Sequence, residues 1–182
     1  MKKIRIIARN LLCVMLLFLL CGCGSNKVEK ATEQCEIFMK ALEQGNWETI
    51  QGNMPLDGLN SRMPEKEQQN GVMQEIMKSM TYKIESVKEQ ENGTIIVDMF
   101  IETTDLKALL ESLPEDISSQ EEAGIKMKEL VATTPRKNFS AKVSMVYVEE
   151  TEDFEIEIDV SFANAVTGGM YDLLVELMGG VE

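Results

Sequence analysis

The chain has no histidine among its 182 residues. This excludes Ser-His and Cys-His nucleophilic pairs, histidine-based metal sites and the side chain that ordinarily shuttles protons near neutral pH. Cysteine is scarce as well: Cys13, Cys21, Cys23 and Cys35 are all there is, and no Cys/His cluster exists to hold zinc. No glycine-rich phosphate loop stands between a strand and a helix; Gly168-Gly169 lacks the rest of such a fingerprint and any lysine beside it. A kink or a close packing point in a helix is the expectation for that pair. Positive charge is short too, 18 Lys and Arg against 31 Asp and Glu, for a formal charge of −13. A surface this acidic repels anionic head groups and nucleic acid alike, so no nucleic-acid partner is expected.

The first 25 residues carry the clearest message. Lys2, Lys3, Arg5 and Arg9 precede an apolar run from Leu11 to Leu20, which ends in Leu20-Cys21-Gly22-Cys23-Gly24-Ser25. A basic stretch followed by about 7 to 15 apolar residues is an export signal, too short for a transmembrane helix of about 20. The box resembles that of bacterial lipoproteins, which are cut before a cysteine whose thiol already carries diacylglycerol. The resemblance implies that residues 1–22 are a signal peptide cleaved after Gly22. It further implies that Cys23 bears a diacylglyceryl thioether and an amide-linked acyl chain such as palmitate, and that residues 23–27 are a short tether. It places the protein at the cell membrane, lipid-anchored on the extracytoplasmic face, with the bilayer as a partner through acylated Cys23. More than one lipid chain is needed for stable attachment, and this anchor provides it. Cleavage leaves 160 residues, one ordinary domain over 28–182, and takes the formal charge from −13 to −17. With Cys23 acylated, Cys35 has no intramolecular partner, and its place on an apolar helical face predicts a buried, inert thiol.

Periodicity supplies the elements. Val28, Ala31, Cys35, Phe38, Met39 and Leu42 recur at helical spacing until Gly45 stops the run. Asn46 caps a short helix with Trp47, Ile50 and Met54 inward, broken by Pro55, Asp57 and Gly58. A third helix is expected from Pro64, presenting Met73, Ile76, Met77 and Met80. From Thr81 the period becomes two. Tyr82 and Ile84 lead to a turn at Asn92-Gly93, and Ile95, Val97, Met99 and Ile101 share one face of the returning strand. A helical insert spans about 105–132: Leu106, Leu109, Leu110 and Leu113 line a helix ended by Pro114, and Ile117, Met127, Leu130 and Val131 belong to a second. A second hairpin runs Phe139, Ala141, Val143, Met145 and Tyr147, turns through Glu149-Glu150-Thr151-Glu152-Asp153, and returns with Phe154, Ile156, Ile158, Val160 and Phe162 in phase. Val166, Met170, Leu173, Leu174 and Leu177 mark a C-terminal helix ending at Gly179-Gly180.

Four strands with one apolar face each, and helices available from both ends of the chain, predict a two-layer α+β domain. The run Phe38-Met39-Lys40-Ala41-Leu42-Glu43-Gln44-Gly45-Asn46-Trp47 is similar to the opening of small extracytoplasmic lipoproteins with a cystatin-like or nuclear-transport-factor-two-like fold. The stretch Phe162-Ala163-Asn164-Ala165-Val166-Thr167-Gly168-Gly169-Met170 is similar to their close. The resemblance implies a curved four-stranded antiparallel sheet wrapped on a long helix, often a cone that can hold a ligand, and implies no activity. Outward residues are charged in the first strand (Lys83, Glu85) and the last (Glu155, Glu157, Asp159), whereas the middle two present Ile96, Phe100, Val146 and Val148. Charged strands protect sheet edges, which predicts the order 1-2-3-4. The helices of 105–132 are expected to cover these four apolar residues in part; left open, the four form an interaction patch.

Three constellations invite chemistry. Met73, Met77 and Met80 offer thioethers to Cu(I), but Ile76 completes the same stripe and core is the expectation. The acidic turn 149–153 has neither a glycine at the bend nor EF-hand spacing for Ca²⁺ and is expected to be solvated. Asp98 with Tyr82, Tyr147 and Tyr171 would serve acid–base catalysis in a cone, yet Asp98 is out of phase with inward Val97 and Met99. No catalytic, cofactor or metal residues are therefore assigned. The expected function is a membrane-tethered, non-catalytic binding module for a small apolar ligand, an envelope peptide or another membrane protein. The alternatives are a small Asp/Tyr enzyme and a protective lipoprotein that intercepts a cationic peptide.

Overall fold

A computed structural model describes residues 25–54 and 71–179. Cys23 with its cleavage site, the break at Pro55 to Gly58 and the helix start at Pro64 lie outside the described residues. The order is α1 (Ser25–Gln44), α2 (Trp47–Gly52), α3 (Val72–Ser79), β1 (Thr81–Glu89), β2 (Ile95–Thr104), α4 (Leu106–Glu111), α5 (Gln120–Leu130), β3 (Arg136–Val148), β4 (Asp153–Ile158), α6 (Val160–Val166) and α7 (Met170–Leu177). The four strands form one antiparallel, unclosed sheet in the order β1-β2-β3-β4. The interior strands are those with apolar outward residues, as the charge pattern predicts.

The core sits between one sheet face and the helices. Ile95, Val97, Met99 and Ile101 of β2, Ala141, Val143 and Met145 of β3, and Phe154 and Ile156 of β4 are buried against Ala31, Cys35, Phe38, Met39 and Leu42 of α1 and Phe162, Ala165 and Val166 of α6. Phe38 and Phe162 meet with ring centroids 6.0 Å apart. Side chains of this size each contribute about 1.5–3 kcal/mol when fully buried. The α1 helix starts at Ser25, three residues before the Val28 expected from the apolar spacing, because its first turn is polar and leaves no periodic mark. It ends in paired hydrogen bonds, Asn46 N to Ala41 O at 2.8 Å and Gly45 N to Leu42 O at 3.1 Å, with Gly45 at φ +63°. Asn46 then caps α2, its Oδ1 accepting from Thr49 N.

A second, smaller cluster lies at the far end of the sheet from both hairpin turns. Ile76, Leu106, Leu109 and Val131 are buried there, with Met73, Met127, Leu130, Met170 and Leu173 packed around them. The insert helices α4 and α5 belong to this cluster and contact α3 and α7. Their composition is less apolar inside than the spacing suggests: Leu110 is exposed, α5 contains no buried residue, and α4 ends at Ser112, two residues before Pro114. Ile117 precedes α5, whose cap is Ser119.

The C-terminal region departs from the expectation. The last strand stops at Ile158, and Val160 and Phe162 belong to α6, not to β4. Asp159 is a helix cap, its Oδ1 accepting from Phe162 N at 2.8 Å and Ser161 Oγ at 2.6 Å, so it is not an outward strand residue. The single expected C-terminal helix is two, α6 and α7, divided at Gly168 (φ +69°) and Gly169 (φ +89°). Asn164 Oδ1 accepts from Tyr171 N and Asp172 N and so supplies the cap that Gly169 cannot. Gly168 O accepts from Leu106 N at 2.9 Å, and a Cβ on Gly168 would overlap the carbonyl oxygen of Thr104. Gly168→Ala is expected to lose about 3 kcal/mol of unfolding free energy in urea titration, from the left-handed backbone and the backbone clash together.

Candidate functional site

The sheet face turned away from the core is the candidate. None of the described helices packs across it: all of them join the two clusters that bury the opposite face or the sheet's end. The helices of 105–132 therefore do not cover Ile96, Phe100, Val146 and Val148, contrary to the expectation. They are held instead at the sheet's end by Asp105 N to Pro135 O at 3.0 Å and by the apolar contacts of α4 and α5 with α3 and α7.

The four apolar residues do not form one patch. Register pairs Ile96 with Ser144, which makes Val146, two residues on, its diagonal neighbour, and Val148 follows on the same strand. All three are half-buried. Phe100 stands apart, opposite Ser140, and is 47% exposed. Between it and Ile96 lies the cross-strand pair Asp98 and Lys142, with Nζ 3.9 Å from Oδ1. An open groove of about 370 Å³ runs past Glu85, Asp98, Phe100, Ser140, Lys142 and Ser161. The groove reaches Ser161 because β4 ends at Ile158 and leaves the first half of β3 without a strand neighbour on that side.

A bulge in β1 shapes the groove's other wall. Ile84 pairs with Met99 and Ser86 with Asp98, so Glu85 is the extra residue. Glu85 is exposed beside Lys83, whose Nζ donates to Oε1 at 2.6 Å, while Ser86 Oγ donates to Asp98 Oδ2 at 2.9 Å. The bulge also returns Val87 to the buried face opposite Val97. Alternation by itself places Val87 outward, and no glycine announces the irregularity.

The residues weighed for acid–base chemistry are not brought together. Asp98 lies on the open face, as parity predicts, whereas Tyr82 and Tyr147 pack against the core on the other face and Tyr171 is exposed on α7. Tyr147 stacks edge-on with Phe154 and lies under Lys27. Burial first, then Glu43 and Glu36, push the Tyr82 phenol above its ordinary value, which keeps it protonated. The methionines also separate: Met77 and Met80 are in the main core and Met73 in the smaller cluster. Among the described residues there is no group of three or more His, Cys, Asp or Glu placed to hold a metal ion. The turn 149–153 is solvent-exposed and tied to α1 through Lys30, which donates to Glu152 O.

The edge of β4 is protected in a way composition does not reveal. Buried Gln34 of α1 accepts from Phe154 N at 3.1 Å and donates to Phe154 O, and Asn53 O accepts from Ile156 N at 2.8 Å. These bonds occupy groups that would otherwise template a foreign strand. Gln34 is thus a structural residue missed by the apolar spacing, legible only as a polar side chain on the margin of a buried helical stripe.

No protein-family model, curated protein or solved structure matches the chain.

Two outcomes follow from this geometry. Phe100→Ser is expected to lose about 1 kcal/mol of unfolding free energy, because about half of the ring is covered and a central strand favours an aromatic side chain; chemical denaturation checks it. Cys35 is free and fully buried, and burial, with a smaller push from Glu36, raises its thiol from 9.0 to about 12. A raised thiol means the folded state holds its proton longer than the unfolded state. That contribution is intact below pH 9 and is lost as pH climbs toward 12. Stability measured across pH 9–12 should therefore fall less steeply in Cys35→Ala than in the native sequence.

Proposed function

We propose that the chain is a lipid-anchored extracytoplasmic binding module, non-catalytic, that engages an envelope peptide or another membrane protein through its open sheet face. The observation that carries this reading is the uncovered face itself, a central-strand surface with Phe100 standing in a groove bordered by Asp98, Glu85 and Lys142. Native sheets that bury one face ordinarily solvate the other with polar side chains, whereas here Ile96, Val146 and Val148 run together across the two central strands beside the exposed Phe100. The groove past Phe100 and others of 190 to 390 Å³ among the described residues open to solvent, which suits contact with a macromolecule better than enclosure of a small apolar ligand. Separation of Asp98 from the tyrosines speaks for binding over turnover. The anchor part of the reading is supported by the Leu20-Cys21-Gly22-Cys23 box behind its basic and apolar segments. Among the described residues no helix is long and apolar enough to cross a membrane, which is compatible with attachment through a lipid.

Native mass spectrometry of the protein extracted from the membrane of a bacterial host tests both halves. The expected N-terminal residue is Cys23 carrying diacylglycerol, and Cys23→Ala is expected to accumulate as uncut precursor. A partner retained at fixed stoichiometry should be lost in Phe100→Asp. An intact N-terminus in a soluble cytosolic fraction overturns the anchor, and a partner insensitive to Phe100→Asp overturns the face.

A further inference from the structure

The α7 helix has two apolar faces and uses only one. Met170 and Leu173 pack into the smaller cluster. Tyr171, Leu174, Val175 and the cap residue Met178 follow the spacing i, i+3, i+4, i+7, which defines a second stripe on the same helix. All four are exposed, Met178 at 72%. Together they make a contiguous exposed apolar stripe, the kind of surface that often marks an interaction site.

The charges around the stripe are unbalanced. Asp172 is 3.4 Å from Lys137, and Glu176 is 2.6 Å from Lys107. Lys107 also feels Glu111 and Asp105, so four carboxylates share two ammonium groups. The whole chain is acidic, at −13. Two copies meeting here would bring like charge together. A partner that is apolar on one side and basic on the other meets both the stripe and its rim.

We propose that the exposed stripe of α7 docks a cationic amphipathic helical segment, laid along Tyr171, Leu174, Val175 and Met178 with its basic residues toward Asp172, Glu176 and Glu111. This mode places i, i+3, i+4, i+7 anchors of one helix against those of another. The inference rests on the reading of the chain as a binding module, but on neither its anchor nor its open sheet face.

Site-specific photo-crosslinking tests it on the full chain in its own membrane. A photoreactive residue replaces Val175, or Phe100 as the control position, and the probe is a biotinylated helical peptide of about 18 residues built from Leu and Lys, beside a Leu and Glu counterpart. Labelling from position 175 is expected with the Lys peptide. It should fall about tenfold with the Glu peptide, with Leu174→Ser/Met178→Ser, and between about 50 and 500 mM salt. Met170 and Leu173 stay in place in that variant, and an unchanged melting curve shows that the fold survives. Equal labelling by both peptides, labelling indifferent to the double substitution, or a crosslinked homodimer in place of a peptide adduct overturns the proposal. Labelling confined to position 100 also overturns it while leaving the open-face reading standing.

Discussion

One constraint organises this molecule: the apolar face of a four-stranded sheet must be kept from water, and the described helices cover that face or close the sheet's end. The inward residues of β2 and β3 are buried to the last atom at Ile95, Val97, Ile101, Val143 and Met145. Covering them takes α1 from one end of the sequence and α6 from the other. Bringing α6 over the sheet is what truncates β4, because a strand continued through Val160 and Phe162 would carry Phe162 away from Phe38. Asp159 makes the reversal inexpensive by turning the strand's last carboxylate into a helix cap. The open first half of β3, the groove beside Phe100 and the position of Ser161 are all consequences of that early exit.

The parts of the fold that obey a single period were legible. The α1 stripe, the Asn92-Gly93 hairpin, the in-phase runs of β2 and β3 and the strand order each have one reading, and charge on the outer strands broke the remaining tie. The C-terminal region has two. Ile158, Val160 and Phe162 satisfy a period of two, while Phe162, Ala165 and Val166 satisfy a helix equally well, and the second reading wins because Asp159 can cap it. The capping residue was the available signal, three positions before the first buried helical side chain. Likewise Leu173, Leu174 and Leu177 read as one core stripe, whereas α7 after the break at Gly168-Gly169 turns Leu174 outward and carries Leu177, on the same side as Met170 and Leu173, past the end of the cluster. The consequences of a kink for the faces of the following helix depend on the angle it imposes, and sequence states only that a kink is there.

The candidate site was partly legible for the same reason. Parity placed Ile96, Phe100, Val146 and Val148 outward, and outward they are, with Asp98 among them. Whether the insert covers them depends on a tertiary choice. The α4 and α5 helices have an end-of-sheet cluster to join, built from Ile76 of α3 and Met170 and Leu173 of α7, and burial there outcompetes burial on a face interrupted by Asp98 and Lys142.

The two ends of the sheet differ in kind, and the difference bears on how a tethered domain would stand. The start of α1 lies at the end that holds both hairpin turns: Lys27 sits over the Tyr147 ring, and Lys30 reaches the β3–β4 turn. Exposed Glu89, Glu91, Glu149, Glu150, Glu152 and Asp153 crowd that end, with Lys27, Lys30 and Lys88 as the basic counterweight. The apolar stripe of α7 lies at the opposite end, where Lys137 near the start of β3 reaches Asp172. β3 has 13 residues, so the ends are about 40 Å apart. With a lipid on Cys23, the acidic turns would be the part of the domain nearest the head groups. Repulsion between an anionic bilayer and a chain this acidic would act along the whole length of a domain lying flat but only on the near end of an upright one, because it decays within about 8 Å of the surface at physiological salt, and so it would favour the upright pose. An upright domain would expose the α7 stripe to arriving partners and keep it from the hydrocarbon that would otherwise compete for the same side chains. On a tethered chain, surface charge and apolar stripe would therefore work as a pair: the first would set the orientation in which the second could be reached.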